Sequence, residues 1–126
     1  MTAPVAAPEA ALYLVFSTVP AREEGERIAE ALVSEGLAAC VQLLPGLLSV
    51  YRWQGALERS AELLLVAKTL RPADCLARLA ALHPYQVPEG IAVAASAVLP
   101  DYLRWALDSA KEAQDSATRT QRGKSD

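Results

Sequence analysis

A single histidine and two cysteines are all the imidazole and thiol that this 126-residue chain possesses. The cysteines, Cys40 and Cys75, stand far apart and form no C-x-x-C pair, so they read as two free thiols. With one histidine between them they make no tetrahedral zinc site from local spacing. Basic residues are not in excess: 12 Lys and Arg stand against 15 Asp and Glu, a net charge of −3. That balance argues against a phosphate-neutralising face and hence against nucleic-acid binding. No apolar run approaches the roughly 20 residues that cross a bilayer. The opening "MTAPVAAPEA" lacks a positive n-region and carries two prolines and a glutamate where a signal sequence would be apolar. Residues 1–11 therefore read as a disordered leader on a cytoplasmic protein. Also missing are the phosphate loops G-x-x-x-x-G-K-[ST] and G-x-G-x-x-G, and the G-x-S-x-G elbow of a serine nucleophile. Neither tight ATP binding nor nucleophilic catalysis is expected, and one histidine leaves little choice of base.

What is present is an ordinary globular composition, 52% hydrophobic and 21% charged, of a length that suits one domain. "LYLVFST" (12–18) reads as a buried strand. A helix follows, with Pro20 at its start, Glu23 and Glu24 in its first turn, a stripe including Ile28 and Leu32, and Gly36 as its stop. Residues 37–53 are strand-like but broken by Pro45-Gly46, and "LERSAELLLVAKT" returns to Thr69 as the second arm of a long antiparallel hairpin. A second helix starts near Pro72, a last core strand covers 90–98, and a short helix begins at Pro100. Residues 111–126 have no apolar face and read as a disordered polar tail. One domain over 12–110 with this order gives an α+β, ferredoxin-like βαββαβ sandwich with an extra C-terminal helix. Both helices fall on one face of such a sheet. Yet Leu63 and Leu65 point opposite to Leu64 and Val66, so both faces are apolar, and a neighbouring subunit is the expected cover.

The stretch "LHPYQVPEG" (82–90) holds His83 between two prolines. As a residue before proline it must leave the helix, and an imidazole at a helix C-terminus also suits the dipole. The other reading is that His83, Tyr85 and Glu89 project from a rigid loop into a cleft. Cys40, mid-strand, reads as an inert small hydrophobe, whereas Cys75, one turn into its helix, reads as a partly exposed thiol. A copper site requires His83 to combine with Cys40, Cys75 or a carboxylate brought from elsewhere. Tyr51 and Trp53 share one strand face, as do Glu62 and Lys68. These residues read either as interface anchors or as the lining of a small-molecule cleft.

"LAACVQLLPGLLSVYRWQG" (37–55), "ELLLVAKT" (62–69) and "LHPYQVPEG" (82–90) resemble, in order and spacing, the CutA divalent-cation-tolerance family. The likeness extends over about residues 12–109 and includes "DYLRW". The chain departs from the family's habit at Gln42, where asparagine is usual, at Gln54 and Ala56 in the hairpin turn, and at Gly90. The resemblance implies a tight homotrimer of ferredoxin-like protomers, similar in architecture to the PII signalling proteins. It also implies a role in tolerance of divalent metals, chiefly copper, with no established catalytic activity and with a protein partner left open. It sets His83, Tyr85 and Glu89 beside an inter-subunit groove.

Overall fold

The computed structural model describes residues 5–6 and 12–124, with side chains over 12–115. In chain order the elements are β1 (Val5–Ala6), β2 (Tyr13–Val19), α1 (Arg22–Ser34), β3 (Cys40–Trp53), β4 (Ala56–Thr69), α2 (Pro72–Leu82), β5 (Ile91–Ala94), β6 (Ala97–Val98) and α3 (Pro100–Lys124). Strands β3-β4-β2-β5 form one antiparallel sheet in that order, which is the expected ferredoxin-like arrangement.

Local chemistry explains the element ends. Helix α1 stops where Gly36 takes φ 74°, donating its amide to Val33 while Leu37 donates to Leu32. This is the left-handed cap that glycine adopts without a Cβ penalty. The Cβ of any other residue there would also stand 2.8 Å from Ala113 of α3. The β3–β4 hairpin turns through Gln54 and Gly55, both at positive φ. Such a two-residue turn matches the twist of its strands. The register slips between Leu44 and Leu47, where Pro45-Gly46 makes a bulge.

The core lies between the sheet and the two helices. Val15 and Val19 of β2, Leu65 and Ala67 of β4, Ile28 and Leu32 of α1, and Cys75 and Leu79 of α2 are all buried there. Each fully buried aliphatic side chain contributes about 1.5–3 kcal/mol relative to exposure. Ser17 on this face is fully buried, and its hydroxyl has no hydrogen-bond partner among the described residues. An unpaired buried hydroxyl costs about 1–3 kcal/mol. Ser17→Ala is therefore expected to raise the unfolding free energy in a urea titration by about 1 kcal/mol. A loss of stability would instead reveal a partner for the hydroxyl.

The opposite face is open. By strand alternation it presents Leu14, Phe16, Leu64 and Val66, with Leu44, Ile91 and Val93 exposed beside them. Helix α3 covers only its end, where Tyr102, Leu103 and Ala106 pack with Leu12 and Leu70. Strand β2 pairs with β4 only over Leu63–Thr69, so the outer half of the hairpin projects as a two-stranded arm.

Three differences from the sequence reading stand out. The segment read as one strand over 90–98 is two: β5 joins the main sheet, while β6 turns away to pair with β1. The leader read over 1–11 lies outside the described residues except for Val5–Ala6, which form β1. The segment read as a disordered tail from residue 111 is helical through Lys124, and residues 125–126 lie outside the described residues. Its polar sequence lacks an apolar stripe but contains no proline, and α3 propagates through it from a packed first half.

Candidate functional site

Where the arm leaves the body, its inner face meets the loop after α2. Counting outward from the turn, the register sets Tyr51 opposite Glu58, Ser49 opposite Ser60 and Leu47 opposite Glu62. The alternation puts Ser49, Tyr51, Trp53 and Glu62 on one face. Helix α2 ends at Leu82, and Pro84 holds His83 in the extended region at φ −72° and ψ 139°. The chain thus folds back over the sheet. Between arm and loop lies a cleft of about 730 Å³ whose lining includes Thr18, Tyr51, Trp53, Glu62, Tyr85 and Glu89.

Glu62 forms the back wall and is only 7% exposed. The Tyr85 hydroxyl donates to its Oε2 at 2.6 Å. Burial alone raises a carboxyl pKa. Here hydrogen bonding from Ser49, Tyr85 and Thr18, with the proximity of His83, outweighs that and holds Glu62 below its ordinary value. Burial and the adjoining carboxylate push the Tyr85 phenol the other way, well above its usual range. The pair is therefore a carboxylate and a neutral phenol. Across the cleft the Tyr51 hydroxyl is 2.8 Å from that of Ser60, which fixes its ring.

His83 sits behind this wall rather than in it. Its Nε2 donates to the Thr18 carbonyl at 2.8 Å, and its Nδ1 accepts the Tyr85 amide at 3.1 Å. Both nitrogens are thus engaged. The imidazole closes the helix and ties the loop to β2, with its ring 4.8 Å from that of Tyr85.

The metal set expected from His83, Cys40 and Cys75 is not assembled. Cys75 is fully buried in the core, its thiol pKa raised by that burial, which corrects the expectation of a partly exposed thiol. Its position on α2 belongs to the same inward face as Leu79. Cys40 is half-buried on the opposite, open face, paired in register with Lys68. Among the described residues no group of three His, Cys, Asp or Glu side chains is placed to hold a metal ion.

Of the cleft residues named from sequence, Tyr51, Trp53, Glu62, Tyr85 and Glu89 come together, and Lys68 does not. Lys68 lies farther along β4, donating to Gln42 at 2.7 Å and lying 5.9 Å from the Tyr102 ring centre. Thr18 and Ser49 also line the cleft and are not among the cleft candidates named from sequence. The signal for Ser49 was its place two residues before Tyr51 on the same face, whereas Thr18 reaches the cleft only through the pairing of β2 with β4.

The CutA1 divalent ion tolerance protein family model matches residues 13–109. The divalent-cation tolerance protein CutA of Thermus thermophilus is 48% identical over 73% of this chain and 91% of its own length. The chloroplastic CutA 1 of rice is 43% identical over 79% of this chain, which spans 57% of that longer relative. The crystal structure of CutA from Xylella fastidiosa superposes with a TM-score of 0.76 at 48% identity, covering 79% of this chain and 97% of that one. The family match, the sequence identity and the structural likeness agree, and the chain belongs to the CutA1 divalent ion tolerance family.

Proposed function

We propose that this chain is a non-enzymatic, cytoplasmic homotrimer acting in the response to divalent metal ions, and that it works as a ligand-binding sensor. The cleft between arm and loop is its site. The observation that carries this reading is the ionised, nearly buried Glu62, preset by Tyr85 in a cleft of small-molecule size. The trimer is supported by the uncovered apolar face and by a hairpin arm too long to stand alone in water. A cytoplasmic setting accords with two free thiols.

Direct copper coordination is the second reading, favoured by the two carboxylates in the cleft, Glu62 and Glu89. Copper held by His83 requires breaking at least one of its imidazole hydrogen bonds, and copper shared with Cys75 also requires opening the core. Calorimetric titration of copper(II) and zinc(II) into the wild type, Cys40→Ser and Cys75→Ser tests the sensor reading. Equal heats in all three proteins are expected. A stoichiometric copper heat lost with either thiol would mean an ion held at that cysteine and would overturn it.

A further inference from the structure

The charges around the cleft are one-sided. Glu62 closes its back and Glu89 stands at its exposed rim, while among the described residues of this single chain no Lys, Arg or His side chain lines it. Lys68, the nearest cation on β4 toward the body, is turned to Gln42 and Tyr102 at the far end of the open face. A nearly buried carboxylate with no Lys or Arg beside it in the cleft repels anions, so phosphates and carboxylates are poor occupants.

The rest of the lining argues against a bare metal ion as the best fit. Two carboxylates offer too few donors to strip a divalent ion of its water, and the space far exceeds one hydrated ion. Three aromatic residues, Tyr51, Trp53 and Tyr85, line the same cleft instead. Aromatic faces attract organic ammonium groups through the ring quadrupole, most strongly where water is excluded. Two of these rings are held in place before any ligand arrives, Tyr51 through Ser60 and Tyr85 through Glu62. Val87 adds apolar surface for a carbon skeleton.

We propose that this cleft binds a small organic cation, a primary or quaternary ammonium on a short carbon body. Glu62 supplies the charge and Tyr51, Trp53 and Tyr85 supply the faces. The proposal rests on the cleft being the ligand site and names the class of ligand it takes.

The chain has two tryptophans, and Trp105 lies on α3, outside the cleft lining. In a Trp105→Phe background, Trp53 fluorescence reports the cleft alone. Choline is the cationic probe, 3,3-dimethylbutan-1-ol its neutral isostere and inorganic phosphate the anionic control. Saturable quenching by choline is expected, with no saturation by the alcohol or by phosphate. Glu62→Gln keeps the acceptor for Tyr85 and should weaken choline about tenfold. The exposed Glu89→Gln, which carries no packing role, should weaken it by a smaller factor, so the result does not depend on how well the Glu62 variant folds. Saturation by the alcohol or by phosphate with affinity equal to choline's would leave a ligand site but overturn the cation. An unresponsive Trp53, or choline binding unchanged in both variants, would also overturn it.

Discussion

Replacing His83 by alanine is expected to lower the unfolding free energy by about 3 kcal/mol, although the residue touches neither cleft wall as a ligand. The reason is its two hydrogen bonds. Nε2 satisfies the Thr18 carbonyl and Nδ1 satisfies the Tyr85 amide, and the residue is only 8% exposed. Truncation leaves both backbone groups facing a small void. Each unsatisfied buried group costs about 1–3 kcal/mol, and a methyl reaches neither. Because Tyr85 is anchored through this ring, the loop carrying it should loosen, and Glu62 should lose its phenol partner with it. The measurement is a urea titration beside the Trp53 quenching assay. A loss of stability below about 1 kcal/mol would mean that the two backbone groups find other partners. His83→Gln separates the roles: its amide can donate to Thr18 yet cannot reproduce the tilted ring packed 4.8 Å from that of Tyr85. It should recover part of the stability and less of the ligand affinity.

This double use of His83 shows where sequence reading succeeds and where it stops. That the residue must leave the helix followed from Pro84 alone, since the clash of the proline ring with the preceding backbone is a local rule. Which groups its nitrogens meet did not follow, because Thr18 lies 65 residues away and only the packing of α2 against β2 brings it near. The thiols make the same point. In α2 Cys75 and Leu79 are buried and Leu76 packs against them, but a single position near a helix start is ambiguous from spacing alone. The hairpin was more legible. Its turn and bulge are written in Gln54-Gly55 and Pro45-Gly46, and strand alternation then places Tyr51, Trp53 and Glu62 together. Lys68 shares the face of Glu62 but sits six residues along the strand, roughly 20 Å away at the usual rise, too far to serve the same cleft. Face is read from parity, whereas position along the face needs the partner strands.

If three copies join as proposed, Leu44→Asp is expected to give monomers while leaving the chain folded. Leu44 is 61% exposed on the single chain, and a polar substitution at such a site changes stability by no more than about 0.5 kcal/mol. Its surroundings are not those of an ordinary surface residue. It pairs with Leu64 in a row that continues through Val66, Phe16, Ile91 and Val93, an apolar sheet face with both helices on the other side. If copies join over this face, each substituted subunit brings a carboxylate into the contact without a cation to meet it, at a cost of several kcal/mol apiece. Three such charges around one axis also repel each other. Sedimentation should give three 13.4 kDa chains for the wild type and one for Leu44→Asp, with equal helical content in circular dichroism. Val33→Asp is the control, because Val33 is comparably exposed but lies on α1, away from the open face, and its trimer should persist. A wild type that sediments as a monomer, or a Leu44→Asp protein that stays trimeric, would show that this face is covered by something other than a second copy of the chain.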